Sequence, residues 1–246
     1  MNITLMDNLT FLQDVLNEYI TKDWKNKRSE LDFMIASHME MSELIDTEYK
    51  DENGVKHNTS WKWWKNQDSS IETAKKVNWN KLHPAVLANI KIELTDLVFF
   101  TLSQKILNDH TDSDEIIPLS DNDWLNFMSI TANNLLQRPG AAMSLILGLA
   151  EKLNFNVPAY YIAKHTLNFI RQLSGYTDGS YKKIINGKED NELLHDVING
   201  ITIEDLEKDF DGVANKIMND VYDVFSVDTE SRKNMDLWRD FKKSCK

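Results

Sequence analysis

The sequence has little of what builds disulfide-rich, loop-rich or nucleic-acid-binding proteins. Its 246 residues include one cysteine, four prolines and eight glycines. A lone thiol, Cys245, excludes an intrachain disulfide and favours a reducing, cytoplasmic setting. So few prolines and glycines argue against a loop-dominated β protein. The formal net charge of -11 argues against binding to nucleic acid or an anionic membrane, because both need clustered lysine and arginine.

Targeting and membrane-spanning patterns are also missing. Residues 1–19 lack a basic stretch followed by an apolar block and are typical of an amphipathic helix, so no secretion signal is visible. The most apolar stretch, 85–106, carries Lys91, Glu93 and Asp96 near its centre, and these charges oppose membrane insertion. We therefore expect a soluble protein with no nucleic-acid or membrane partner.

Apolar residues recur at helical spacing along most of the chain. The segments with this spacing are 9–19, 31–49, 85–106, 124–136, 141–153 and 160–173. Hardly any alternating β-branched run lies between them, so the pattern predicts an all-α fold, a helical bundle with short connections. After residue 192 the sequence is still helical but more acidic. We predict a main domain over 1–192 and an acidic helical extension over 193–246 that packs on it.

Two pairs of acids, each spaced three residues apart, interrupt segments that otherwise have the pattern of buried helices. Glu40 and Glu43 form one pair, and Glu93 and Asp96 form the other. This spacing puts both carboxylates of a pair on one helix face, ~60° apart about the axis. The helix around Glu93 is apolar nearly all round, which predicts an interior position where a carboxylate needs a cationic partner.

The chemistry of these four acids favours Mg²⁺, with Mn²⁺ as a substitute, because both ions prefer oxygen ligands and no cysteine or histidine accompanies the acids. The sequence lacks the Glu-x-x-His motif of di-iron carboxylate bundles. Asp46, three residues after Glu43, either joins this group of acids or lies on the protein surface. A structural ion pair with lysine or arginine is the alternative to a metal site.

Basic and aromatic residues form two further groups. Lys164, Asn168 and Arg171 share one helix face directly before a glycine-rich segment, 174–191. That segment adds Tyr176, Tyr181, Lys182 and Lys183. Together these donors suit a polyphosphate, and the glycine-rich segment is typical of a loop that closes over a ligand. The second group, SWKWWKN at 60–66, provides aromatic faces for stacking a base or, alternatively, anchors a helix junction.

These groups, in this order, resemble the dimeric all-α dUTPases of kinetoplastids, some bacteria and their phages, which are relatives of the MazG-like pyrophosphatases. The matching blocks are LQDVLN, MEMSELID, SWKWWK, IELTDLVFF and LNFIRQLSGYTDGSYKKIINGKEDN, which together span residues 9–192. The resemblance implies a cytoplasmic, homodimeric hydrolase of bacterial or phage type. Its reaction would convert dUTP, and dUDP, to dUMP with release of pyrophosphate or phosphate by a metal-activated water.

The resemblance also implies a role for individual residues. Metal ligands would be Glu40, Glu43, Glu93 and Asp96, and Glu40 or Glu43 would also activate the attacking water. Phosphate-binding residues would be Lys164, Arg171, Tyr176, Lys182, Lys183 and Asn191. Gln13 and Asn17 would read the uracil edge, Trp61 and Trp64 would form aromatic walls, and Asn168 would lie near the sugar. The alternatives are a pyrophosphatase that also or instead uses dCTP, and a non-catalytic helical interaction module.

Overall fold

The structure, a computed structural model, describes residues 3–46, 49–50, 56–57, 83–108, 131, 134 and 138–235. The helices are α1 Ile3–Ile20, α2 Trp24–Lys27, α3 Glu30–Asp46, α4 Pro84–Asn108, α5 Pro139–Lys152, α6 Val157–Leu173, α7 Leu194–Val197, α8 Ile203–Lys208, α9 Phe210–Val224 and α10 Thr229–Met235. Two antiparallel pairs of two-residue strands join β1 Tyr49–Lys50 to β2 Lys56–His57 and β3 Ile184–Ile185 to β4 Lys188–Glu189. The all-α fold class is confirmed.

The predicted helices are recovered at α1, α3, α4, α5 and α6, with one correction. The segment 31–49 was expected to be helical throughout, but α3 ends at Asp46, and Tyr49 pairs with His57 across β1 and β2. An aromatic residue followed by the turn-forming sequence at 51–54 favours a strand pair over another helical turn. The predicted helix 124–136 lies outside the described residues except at 131 and 134, which are helical.

The described residues fall into two compact units, one of which comprises 29–157. In this unit α3 packs against α4, and α4 packs against α5. Helix α4 is buried on nearly all sides because apolar residues cover most of its circumference. Its fully buried apolar side chains include Ile90, Leu94 and Leu97. A buried hydrogen bond from Gln104 Nε2 to Ser37 Oγ, 2.9 Å long, links α4 to α3.

The other unit comprises 1–28 and 158–246. Two buried hydrogen bonds join α1 to α6. The Tyr161 hydroxyl donates to Gln13 Oε1 over 2.7 Å, and His165 Nε2 donates to the Leu12 carbonyl over 2.9 Å. Helix α8 contacts α1 and α9, so helices after residue 192 pack in the same unit as α1. The domain division predicted at residue 192 stays a prediction.

Local chemistry determines where some helices begin. The Thr202 side chain accepts the Asp205 N–H at the start of α8, and the Asp205 carboxylate accepts the Thr202 N–H in return. Pro139 stands in the first turn of α5, where its missing N–H costs nothing. Among the described residues, no helix combines the length and the hydropathy needed to cross a bilayer.

Candidate active site

Three of the four predicted metal ligands come together in the unit 29–157. Glu40, Glu93 and Asp96 each offer one carboxylate oxygen, and these oxygens lie within 4.8 Å of one another. Glu93 and Asp96 reach the group from one face of α4, and Glu40 reaches it from α3, which packs against α4. We call these three residues the acidic cluster. Glu43 is exposed on α3 and is not part of this group, so its role as a ligand stays a prediction.

The acidic cluster fits Mg²⁺ or Mn²⁺. Carboxylate oxygens are the ligands that these ions prefer, and oxygens bound to one Mg²⁺ lie about 3–4 Å apart, since each bond is about 2.1 Å long. The separations in the cluster therefore need only small side-chain adjustments to close on an ion. Glu93 is only 8% exposed, and a cation bound among the three carboxylates would offset their negative charge.

The predicted phosphate-binding residues of α6 lie in the other unit, 1–28 with 158–246. Lys164 is buried, with 2% of its surface exposed, and Arg171 is buried as well. Arg171 Nη1 donates to Asn168 Oδ1 over 3.2 Å, and Nη2 donates to Asn191 Oδ1 over 3.1 Å. The structure thus brings three predicted site residues, Asn168, Arg171 and Asn191, into one hydrogen-bonded group.

Asp190 is a residue of this group that the sequence analysis missed. Its carboxylate is fully buried and accepts two hydrogen bonds from Arg171, from Nε over 2.9 Å and from Nη2 over 2.7 Å. It also accepts from the Tyr181 hydroxyl over 2.9 Å and from the Asn191 N–H over 2.8 Å. Burial alone would raise the pKa of Asp190, but the bonds and charge of Arg171, with Tyr181 and the Asn191 N–H, hold it below its ordinary value.

These hydrogen bonds occupy most of the donors of Arg171, for which the sequence predicts a phosphate-binding role. A guanidinium has five N–H groups, and hydrogen bonds to Asp190, Asn168 and Asn191 engage Nε, Nη1 and both hydrogens of Nη2. The Asp190 carboxylate also offsets the Arg171 charge. Arg171 therefore holds Asp190, Asn168 and Asn191 in one network, and its assignment to a phosphate stays a prediction. The position of Asp190, directly before the predicted site residue Asn191, is the sequence signal that could have revealed the pair.

The glycine-rich segment 174–191 folds into turns and the β3–β4 hairpin. Asn186 and Gly187, with φ of 52° and 83°, form the left-handed pair that a two-residue hairpin turn needs. The Tyr176 ring centre lies 5.8 Å from Arg171 Cζ and 5.8 Å from Lys183 Nζ. Lys182 and Lys183 are exposed. The segment therefore places Tyr176 between Arg171 and Lys183 and leaves both lysines exposed.

The predicted base-reading residues, Gln13 and Asn17, contact each other on α1. Gln13 Nε2 donates to Asn17 Oδ1 over 2.9 Å, and both residues are buried. Tyr161, which the sequence analysis did not select, donates its hydroxyl hydrogen to Gln13 Oε1. The predicted aromatic walls, Trp61 and Trp64, lie outside the described residues.

Comparison with known proteins agrees with the chemistry of these groups. A family model described as dUTPase matches residues 5–176, a range that contains most of α1, both acid pairs and all of α6. The match ends within the glycine-rich segment. No curated protein matches the chain. Since the family model covers well over half of the sequence, the chain belongs to the all-α dUTPase family and is a dUTP diphosphatase.

Proposed function

We propose that the chain hydrolyses dUTP, and also dUDP, to dUMP in a Mg²⁺-dependent reaction centred on the acidic cluster. The observation that carries the proposal is the convergence of Glu40, Glu93 and Asp96, whose carboxylate oxygens lie within 4.8 Å of one another. Membership of the dUTPase family supports the substrate. When bound, Mg²⁺ would neutralise phosphate charge and lower the pKa of a water molecule. Mn²⁺, which accepts the same ligands, should substitute.

The glutamates of α3 have separate tasks in the proposed reaction. Glu40, as part of the acidic cluster, serves as a ligand. Glu43 shares the helix face of Glu40, and we assign it to orienting the attacking water and accepting its proton, a role that a carboxylate can fill. The water oxygen bonds to phosphorus, the anhydride bond between the α- and β-phosphates breaks, and pyrophosphate leaves from dUTP or phosphate from dUDP.

The remaining predicted site residues are proposed to hold the nucleotide. Lys164, Tyr176, Lys182 and Lys183 supply donors for the phosphates, and Arg171 and Asn191 contribute from their shared network. Asn168 is assigned to the sugar. Gln13 and Asn17 read the uracil edge from a buried position, where a base with the wrong pattern of donors and acceptors would leave their amides unpaired.

A substrate panel tests the proposal. Pyrophosphate or phosphate release is measured from dUTP, dUDP, dCTP, dTTP and UTP with Mg²⁺, with Mn²⁺ and with EDTA. We expect turnover of dUTP and dUDP that EDTA abolishes. Turnover of dUTP that persists in EDTA would contradict the metal assignment, and equal use of dCTP would establish the broader specificity.

The roles of the two glutamates separate kinetically. Glu40→Gln should raise the Mg²⁺ concentration needed for half-maximal rate, whereas Glu43→Gln should lower kcat by about 100-fold at saturating Mg²⁺, because proton transfer contributes on the order of 10²–10⁴ in rate. Glu151→Gln, which changes an exposed acid on α5, is the matched control and should behave like the wild type. The same metal response in Glu40→Gln and in the wild type would remove Glu40 from the site.

The proposal includes a homodimer in the cytoplasm of a bacterial or phage-infected cell, for which the family resemblance is the support. Equilibrium sedimentation tests the association directly. A mass of twice the 28.6 kDa of one chain is expected, and a mass of one chain at micromolar concentration would contradict it.

A further inference from the structure

The hydroxyl of Tyr161 fixes the orientation of the Gln13 amide. The hydroxyl oxygen lies 2.7 Å from Gln13 Oε1 and 3.4 Å from the Leu9 carbonyl oxygen. Both of these neighbours are acceptors, and the single hydroxyl hydrogen belongs to the much shorter contact. Burial raises the pKa of Tyr161 well above its ordinary value, so the hydroxyl keeps this hydrogen at any physiological pH.

Rotating the Gln13 amide by half a turn would be unfavourable in this setting. Its NH₂ group would then meet the Tyr161 hydroxyl, which would have to accept a hydrogen bond from Gln13 instead of donating one. Its carbonyl would meet Asn17 Oδ1, another acceptor, unless Asn17 rotated as well. The observed orientation therefore has two good hydrogen bonds, whereas in the rotated one the Tyr161 hydroxyl can only accept from Gln13, and the bond to Asn17 survives only if that side chain turns as well.

Tyr161 is itself held in place. It is fully buried on α6, and one turn later His165 donates from Nε2 to the Leu12 carbonyl, next to Gln13 in the chain. The rings of Tyr161 and His165 lie 6.1 Å apart. Two consecutive turns of α6 thus bind Leu12 and Gln13 of α1, and the Tyr161 hydroxyl oxygen has little freedom to move if the Gln13 amide rotates.

We infer that Tyr161 is a positioning residue that makes Gln13 a hydrogen-bond donor toward the base and so selects pyrimidines with a carbonyl, rather than an amino group, at position 4. The inference rests on the proposed role of Gln13 and Asn17. The Gln13 carbonyl is committed to Tyr161, and an amide nitrogen carries two hydrogens, of which the bond to Asn17 uses one. A donor matches the O4 acceptor of uracil and opposes the amino group of cytosine.

The test is the substrate preference of Tyr161→Phe, which removes only the hydroxyl. The ratio of kcat/KM for dUTP to kcat/KM for dCTP is measured for this variant and the wild type. We expect the ratio to fall by about 3- to 10-fold, the effect of one neutral hydrogen bond, with the loss for dUTP appearing mainly in KM. An unchanged ratio, or equal use of both nucleotides by the wild type, would overturn the inference.

Tyr160→Phe is the matched control. Tyr160 is equally buried on the same helix, and its hydroxyl donates to the Asn191 carbonyl over 2.9 Å instead of to Gln13. Loss of this bond should change the kinetics of dUTP and dCTP in the same proportion. A fall in the ratio as large as that of Tyr161→Phe would show that any lost buried hydroxyl has this effect, and would also overturn the inference.

A double-mutant cycle shows whether Tyr161 acts through Gln13. In a Gln13→Met background, adding Tyr161→Phe should leave the dUTP to dCTP ratio unchanged, because the amide it positions is gone. A further fall of the same size would contradict the inference. Failure of the proposed function is distinguishable, since the wild type would then release no pyrophosphate from dUTP with Mg²⁺, whereas failure of the inference leaves that release intact.

Discussion

Replacing Asp190 with asparagine should destabilise the protein by about 3 kcal/mol, because the change leaves the Arg171 charge buried without its counter-ion. The two side chains are only 9% and 1% exposed, so water screens the pair little. Removing one partner of a buried ion pair costs about 3–5 kcal/mol in general.

The hydrogen bonds of the carboxylate place the cost at the lower end of this range. Oδ1 accepts from Arg171 Nη2 and the Asn191 N–H, while Oδ2 accepts from Arg171 Nε and the Tyr181 hydroxyl. An asparagine would place its NH₂ group at the Oδ2 position, where the Tyr181 hydroxyl can rotate and become the acceptor. The bond to Arg171 Nε is then the one that is lost, and the remaining partners of Arg171 soften the penalty.

Urea unfolding of Asp190→Asn and Tyr181→Phe measures the effect. The second variant removes one hydrogen bond to the same carboxylate but keeps the ion pair, so it should cost about 1 kcal/mol. The pKa of Asp190 is depressed in the folded protein, so the pair stabilises the fold above pH ~4 and the stabilisation is lost as the pH falls through the folded pKa. Asp190→Asn should lose this acid dependence. The error of such measurements is roughly 0.5 kcal/mol. If the free energy of unfolding of Asp190→Asn differed from that of the wild type by less than this error, the reasoning would be refuted.

Two further predictions concern the same unit. Burial lowers the pKa of His165 to about 4, although the hydrogen bond to the Leu12 carbonyl opposes this shift, so the folded state resists protonation. The free energy of unfolding should therefore fall by about 1.4 kcal/mol per pH unit as the pH falls from ~6.5 to ~4. His165→Gln should remove this slope in urea unfolding, and a slope that persists would assign the pH dependence to another group. A Cβ on Gly175 would collide with the Ser180 side chain, whereas one on Gly179 would meet nothing within 4 Å, although both glycines have positive φ. Gly175→Ala should therefore lower the melting temperature more than Gly179→Ala, and equal shifts would contradict the importance of the contact.

The helices that carry the acids were predictable because their signal is local. An almost continuous apolar surface around Glu93 predicts a buried helix, and α4 is that helix. A spacing of three places Glu40 and Glu43 on one face, but the exact rotation of α3 against α4 decides which carboxylate reaches Glu93. That rotation depends on how the two helices pack, and it cannot be predicted from the spacing of residues within one helix.

The Arg171 network was not predictable for a different reason. An arginine before a loop that contains lysines has the same local pattern whether it binds a phosphate or a carboxylate, and Asp190 lies 19 positions further along the chain. Tyr161 illustrates the same limit, since in a run of apolar residues it has the pattern of a packing residue. Its hydroxyl acquires a role only when α1 brings Gln13 within 2.7 Å.

The most direct test of the claim that the acidic cluster binds the catalytic metal is the rate of pyrophosphate release from dUTP as a function of Mg²⁺ concentration. The rate is measured for the wild type, Glu93→Gln and Glu151→Gln. The account predicts a saturable Mg²⁺ response for the wild type and Glu151→Gln, and a loss of about 100-fold or more in kcat/KM for Glu93→Gln, because its carboxylate belongs to the acidic cluster and that of Glu151 does not. A Glu93→Gln variant with the wild-type rate and the wild-type Mg²⁺ response would contradict it.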